Sequence, residues 1–402
     1  MGYNNWNAFQ CDINEARVLQ TANLMKSLGL QDVGYTHVNI DDCYAQKNRS
    51  ANGHIVADPV KFPSGFNNLT SQLHSLGFKA GIYGDSGWFT CAGFPGSFAN
   101  EARDIKTFQD WGFDYLKYDN CAIPYDNITR QNTLGKYERM ADAINQLAKT
   151  SGKPPMIFSL CEWGWSQVWL WGKQFGQSWR TLGDIEPTWA SLASIINFNS
   201  FITMATDFSG RNDMDMLQIG NGNMTIDEAK SHWTAWALMK SPLLIGTDLT
   251  KLSKDNLNIL KNKEIIAIHQ DPVVGTSISP FAWGVNPDWT SDPAHPAGYW
   301  SGPTQDGTVI MLLNTLDTPT DMSFNLTQSP WLRAGRQYKI RDLWAHTDNG
   351  TAVRSITAHQ VPPHGVVALL LKDNGDEPAG TLPLCALWWQ CTGQDGSRVP
   401  GS

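Results

Sequence analysis

From residue 12 to about 270 the chain alternates helix-period stretches with short apolar runs. After Asn14, the residues Val18, Ala22 and Met25 share one helical face, and Gly29 follows as a left-handed stop. Residues 35–40, short and β-branched, then read as a buried strand. The unit recurs. Phe66, Leu69, Leu73 and Leu76 mark a helix closed by Gly77, ahead of a strand over 78–83, and Ala102, Ile105 and Phe108 mark another helix ahead of 115–118. Further strands are predicted at 156–160, 177–182, 201–205 and 243–245, and Thr225 with Glu228 makes a capping box that starts the helix before the last of them. An opening strand over 2–6 brings the count to eight, which closes a parallel (β/α)8 TIM barrel of about 250 residues.

Past Asp271-Pro272 the pattern changes to short alternating segments bounded by Gly, Pro and Asp, with apolar runs at 308–313, 337–340 and 366–371. This grammar predicts an antiparallel β-sandwich. The expected organisation is a catalytic barrel over 1–273, a sandwich over 274–373 and an irregular tail over 374–402, anchored by a Cys385–Cys391 loop.

Composition narrows the function. Thirty Lys and Arg against thirty-eight Asp and Glu give a net charge of −8 with no basic cluster, so nucleic acid is a poor partner. The longest apolar run, 366–371, is far short of the roughly 18 residues of a membrane helix, so no membrane partner is expected. No leader is legible, because Met1-Gly2-Tyr3 runs straight into structured sequence, and an already processed chain is expected. Seven cysteines, with Cys11/Cys43, Cys91/Cys121 and Cys385/Cys391 as candidate bridges, favour an oxidising secretory route. Sequons at Asn48, Asn68, Asn127, Asn223, Asn325 and Asn349 point the same way. Cys161 is left over as a buried thiol. Zinc is disfavoured, since neither Cys-x-x-Cys nor paired His spacing occurs. No metal and no cofactor are expected, and oligomeric state is not legible.

In a β/α barrel the site lies at the carboxyl ends of the strands. There the chain places Asp41 and Asp42, Asp85, Asp119, Glu162, Asp184, Asp207 and Asp248 after strands two to eight, with Asp213 and Asp215 in the seventh loop. Any single Asp is most simply an N-cap or a solvated loop acid, but a ring of them suits a metal site, proton abstraction or glycoside hydrolysis by a carboxylate pair. Eighteen Trp decide among these. Sugars pack C–H faces on aromatic rings and hydrogen-bond to carboxylates, and Trp6, Trp88, Trp163, Trp165 and Trp179 stand beside the acids. Hydrolysis needs one ionised and one protonated carboxyl. Asp119 suits the ionised role, because Lys117 projects to the same face of its strand. Asp184, two strands further round, suits the other, although position alone does not separate it from Asp213 or Asp215.

These residues carry a resemblance. Met1-Gly2-Tyr3-Asn4-Asn5-Trp6-Asn7, Asn39-Ile40-Asp41-Asp42-Cys43, Gly81-Ile82-Tyr83, Leu116-Lys117-Tyr118-Asp119-Asn120-Cys121, Trp179-Arg180 with Asp184-Ile185, and Asn212-Asp213-Met214-Asp215-Met216-Leu217 are similar to clan D, family 27 glycoside hydrolases. The likeness spans about 1–373 and is greatest to fungal secreted α-galactosidases. It implies a retaining exo-hydrolase of galactose-containing oligosaccharides or polysaccharides, with Asp119 as nucleophile and Asp184 as acid/base. Asp41 and Asp42 would accept from the 4- and 6-hydroxyls, Lys117 would donate near the 3- and 4-hydroxyls, and Trp6 would pack on the ring. Tyr83 would lie beside the nucleophile, Cys121 would be among the substrate-binding residues, Arg180 would approach the 2-hydroxyl, and Asp215 and Met216 would line the pocket. The family's bridges fall on Cys11/Cys43 and Cys91/Cys121. Glu162 and Trp165, in Cys161-Glu162-Trp163-Gly164-Trp165, would crowd the 2-position and exclude an N-acetyl group, which favours α-galactosidase over α-N-acetylgalactosaminidase. Tyr3 stands where Trp is common, and Gly176 where some relatives have a partner for Cys161. An inactive glycan-binding protein and a metal-dependent barrel hydrolase are the competing readings.

Overall fold

The computed structural model describes residues 1–124 and 134–381. Eight parallel strands, β1 (Gly2–Asn4), β2 (His37–Asn39), β3 (Lys79–Asp85), β4 (Tyr115–Asp119), β5 (Ile157–Leu160), β6 (Ser178–Arg180), β7 (Arg211–Asp213) and β8 (Leu244–Ile245), lie in the order β7-β6-β5-β4-β3-β2-β1-β8. The sheet closes through Leu217, whose amide donates to the Leu244 carbonyl at 2.7 Å and whose carbonyl accepts from Gly246 at 2.9 Å. Helices cover the outside, as the periodicity predicts. Asn14 caps the helix Glu15–Ser27, which buries Val18, Ala22 and Met25, and the Thr225/Glu228 capping box opens the helix Ile226–Leu238.

The predicted seventh strand is displaced. Residues 201–205 leave the end of the helix Trp189–Ser200 and make a 3-10 turn over Thr203–Ala205, while β7 is the polar Arg211-Asn212-Asp213. Hydrophobicity does not mark this strand, because its interior positions are filled by hydrogen-bonding groups. Asn212 accepts from the buried Trp179 indole at 2.7 Å and donates to the Ile202 carbonyl at 2.9 Å.

Eight further strands form the second domain: β9 (Ser279–Ala282), β10 (Tyr299–Thr304), β11 (Gly307–Leu313), β12 (Thr320–Asn325), β13 (Arg336–Asp342), β14 (Thr347–Val353), β15 (Ser355–Val361) and β16 (Val366–Asp376). Six pair in the order β14-β13-β16-β11-β10-β9, and β12 pairs with β15. Alternation along β11 and β16 explains the layering. Ile310, Leu312, Leu369 and Leu371 pack with Met322, Phe324 and Ile356 of the small sheet, whereas Val309, Met311, Leu313, Ala368 and Leu370 join the core of the barrel. The central strands β11 and β16 of the six-stranded sheet are therefore buried on both faces, while the edge strand β14 is largely exposed. β16 runs three residues past the predicted boundary at 373 because Arg336 and Asp376 extend its pairing with β13.

The helix Ile226–Leu238 links the two cores. On its outer side Ser231 donates to the His364 carbonyl and Thr234 accepts from the Trp344 indole, and on its inner side the Trp236 indole donates to the Asp215 carbonyl at 2.8 Å. Among the described residues no helix is long and apolar enough to cross a membrane. Cys11–Cys43 and Cys91–Cys121 are disulfides and Cys161 is a buried free thiol. Cys385, Cys391 and Asn127 lie outside the described residues.

Candidate active site

A cavity of about 440 Å³ opens at the carboxyl ends of the barrel strands. Asp41, Asp42, Asp119, Asp184 and Asp215 reach it, with Lys117, Tyr83, Trp6, Trp163 and Met216. The second-strand pair is held rigidly. Asp41 accepts from Asn4 at 2.7 Å and from the Lys117 ammonium at 2.8 Å, and Asp42 accepts from the amides of Cys43 at 2.7 Å and Ala92 at 3.0 Å. Both of those amides belong to disulfide-tied loops, since Cys43 is bonded to Cys11 and Ala92 follows Cys91. Burial opposes the charge on Lys117, but Asp41 and Asp119 more than offset it, so the side chain remains a cation.

Asp119 ends β4, where the amide of Asn120 donates to one carboxylate oxygen and the Tyr83 hydroxyl to the other, each at 2.9 Å. Burial pushes its pKa above the ordinary value, against the pull of Lys117, the Cys161 thiol and the Tyr83 hydroxyl. Asp184 differs in every respect. Its side chain is 75% exposed at the mouth and lies 3.0 Å from the buried Arg180 guanidinium. Burial raises its pKa, but the charges of Arg180 and Lys117 and the Arg180 hydrogen bond together outweigh that and hold the carboxyl below the usual range. Arg180 also pairs with Asp215 at 2.9 Å.

Backbone geometry brings Asp215 and Met216 to the wall. The chain leaves the sheet at Asp213, takes φ 75° at Asp215, and rejoins at Leu217. The Asp213 carboxylate accepts the Asp215 amide at 2.9 Å, and Asp215 in turn accepts the Met216 and Ile185 amides at 2.8 Å. This left-handed step is unfavourable for a residue with a Cβ and is held by those bonds.

Other predicted residues stand elsewhere. Glu162 is fully buried and turned away from the cavity, where Lys136 pairs with it at 2.8 Å and also donates to Asn120. Trp165 is 55% exposed and outside the cavity, edge-on to Trp163. The reason is local. Trp163, Gly164, Ser166 and Gln167 all have positive φ, so the loop after β5 points Trp163 inward and Trp165 outward. Cys121 lies behind its partner Cys91, which lines the cavity, and its amide donates to Asp85. Trp179 is core, Trp88 meets Phe98 edge-on, Asp207 pairs with Lys173, and Asp248 caps a turn at Leu249–Lys251. Asn7, Gln10, Gln218 and Asn221 also line the cavity, and as isolated amides they carry no spacing signal in the sequence.

Asp85, Cys91 and Cys121 bring a carboxylate and two sulfurs together, but those sulfurs are bonded to each other. Asp85 pairs in register with Asp119 at the ends of β3 and β4. Burial, and then the charge of Asp119, push its pKa up to about 8. Between its ordinary value near 4 and that value the folded chain holds a proton that the unfolded chain has released, so this group's contribution to stability falls as pH rises. Asp85→Asn mimics the protonated acid and is expected to flatten the decline of the thermal midpoint between pH 4 and 8. Parallel midpoint curves for wild type and variant would refute this.

A barrel mouth ringed by hydrogen-bonding carboxylates, with the indoles of Trp6 and Trp163 set among them, suits one sugar, which places the chain among the barrel glycoside hydrolases. The family described as Alpha galactosidase A matches residues 1–271, and the Alpha galactosidase C-terminal beta sandwich domain matches 294–371. The chain is 42% identical to a probable alpha-galactosidase B of Talaromyces emersonii, covering 92% of this chain and 91% of the relative. Its fold is similar to the crystal structure of alpha-galactosidase I from Mortierella vinacea, with TM-score 0.83, 33% identity and coverage of 94% and 98% of the two chains. It is similar also to the Saccharomyces cerevisiae α-galactosidase with raffinose, with TM-score 0.81, 27% identity and coverage of 93% and 97%. The chain belongs to the α-galactosidases of glycoside hydrolase family 27.

Proposed function

We propose that this α-galactosidase is a retaining exo-hydrolase that removes terminal α-linked galactose from oligosaccharides or galactomannan by double displacement. The observation that carries the reading is the asymmetry of two carboxylates on one cavity: Asp119 is buried and fixed by Tyr83 and Asn120, while Asp184 is exposed at the mouth on Arg180. The galactose hydroxyls bind Asp41, Asp42 and Lys117, with the ring face on Trp6. Asp119 attacks C1, and the glycosidic oxygen departs with the proton of Asp184, leaving a β-galactosyl ester on Asp119. Asp184 then takes a proton from water, whose oxygen attacks C1, and α-galactose leaves. In the free enzyme Arg180 favours the ionised form of Asp184. Sugar over the mouth dehydrates that carboxyl and raises its pKa toward the proton-donating form.

Trp163, rather than Glu162, is the bulky group over the cavity, and we assign it the exclusion of a 2-acetamido group. Hydrolysis of nitrophenyl α-galactoside is expected to exceed that of the α-N-acetylgalactosaminide by at least about 100-fold in kcat/KM. NMR of the first product is expected to show α-galactose before mutarotation. Initial β-galactose, or preference for the acetylated sugar, would overturn the mechanism or the specificity respectively. We read the barrel, 1–273, as the catalytic unit and the sandwich as its support. Two disulfides and exposed sequons at Asn48, Asn68, Asn223, Asn325 and Asn349 support a secreted glycoprotein.

A further inference from the structure

The loop after β5 contains four positive-φ residues among five, two of them polar and one a Trp. Such backbone is costly for residues with a Cβ and persists only where the surroundings enforce it. Three contacts enforce it here. The Gly164 amide donates to the Arg180 carbonyl at 3.0 Å, which lays the loop against the segment leading to Asp184. Gly164 is required there, because a Cβ would stand 2.1 Å from the Thr181 carbonyl oxygen. The Trp165 ring meets Trp163 edge-on, with centroids 5.4 Å apart and planes at 89°. The Lys136 ammonium, fixed by Glu162, stands 6.0 Å from the same ring.

The consequence is a large indole held in place yet 55% exposed. It lies one ring outward from Trp163, which lines the cavity, and the adjoining Gly164 is hydrogen-bonded to Arg180, the partner of Asp184. An exposed Trp braced in this way keeps an apolar face free beside the cavity, suited to stack on a sugar ring.

We infer that Trp165 is the platform for the first leaving-group sugar, a pyranose ring stacked on the indole beyond the galactose pocket. This assignment rests on the reading of Asp119 and Asp184 given above. It makes Trp165 a determinant of preference among saccharide leaving groups, not of recognition of galactose.

The test compares two substrates with the same galactose: α-galactosyl fluoride, which has no leaving-group sugar, and melibiose, which has one. Trp165→Ala is expected to lower kcat/KM for melibiose about ten-fold, mostly through KM, and for the fluoride by less than about two-fold. Trp165→Phe is expected to restore most of the melibiose activity. Equal losses on both substrates would mean that Trp165 merely buttresses Trp163, and no loss on either would mean that the ring is unused. Both results overturn the inference. Failure of the wild type on the fluoride would instead overturn the underlying reading of the two carboxylates.

Discussion

Asp119→Asn is expected to lower kcat for nitrophenyl α-galactoside by at least about 10⁴-fold, corresponding to about 5 kcal/mol of lost transition-state stabilisation. The substitution keeps the shape of the side chain and removes the nucleophilic oxygen anion. No neighbour can replace it. Asp41 and Asp42 are already fixed on Lys117, Asn4 and two backbone amides, and Asp85 is turned to the amides of Gly87 and Cys121. The folded state is not expected to suffer, because burial already disfavours the charge at this position. Mass spectrometry after reaction with a 2-fluoro galactosyl fluoride checks the role directly. The wild type is expected to carry a sugar ester on the peptide containing Asp119, and the variant none. Label on another carboxylate, or more than a tenth of the wild-type rate in the variant, would remove Asp119 from the mechanism.

Asp184→Ala is expected to give a loss that depends on the leaving group. Saccharides need a proton as they depart, so cleavage of melibiose falls by about 10²- to 10⁴-fold, whereas a nitrophenolate departs without help and its release falls less. Removal of the carboxylate also opens the mouth, and added azide is expected to restore turnover of the nitrophenyl substrate by displacing Asp119 from the β-galactosyl ester with inversion, which forms α-galactosyl azide. The pH profile supplies an independent check. In the wild type the falling limb on the alkaline side is expected to report ionisation of Asp184. Because Arg180 lowers its pKa in the free site, that limb lies at lower pH for kcat/KM than for kcat, in which the sugar covers the carboxyl. The variant is expected to lose the limb. Equal losses on both substrates, with the limb retained, would assign the proton to another group.

Arg180 bears on both results. Its guanidinium joins Asp184 on the rim to Asp215 on the wall, and the carbonyl of Asp215 is held by Trp236 from the helix that the sandwich covers. Disturbing the sandwich therefore has a short covalent and hydrogen-bonded route to Asp184. The Lys136–Glu162 pair serves similarly on the other side, where it ties the loop after β4 to the loop after β5.

The sequence by itself determined the barrel, most of its strand positions and the strand-end carboxylates. Val18, Ala22 and Met25 are spaced to bury one helical face, and β3 to β5 are short apolar runs, so local pattern suffices for them. The pairings Cys11–Cys43 and Cys91–Cys121 were legible as candidates alongside Asp42 and Asp119, the acids whose loops they brace. The tertiary structure alone placed β7, because Arg211-Asn212-Asp213 is stabilised by polar partners brought from Trp179 and Ile202, and no hydrophobic period records them. It alone also separated Trp163 from Trp165 and turned Glu162 away from the sugar. Those directions depend on a run of positive φ angles and on Lys136 arriving from a different helix. Periodicity reports which positions are buried against a sheet; the aim of a loop side chain is set by long-range contacts that compete with its local preference.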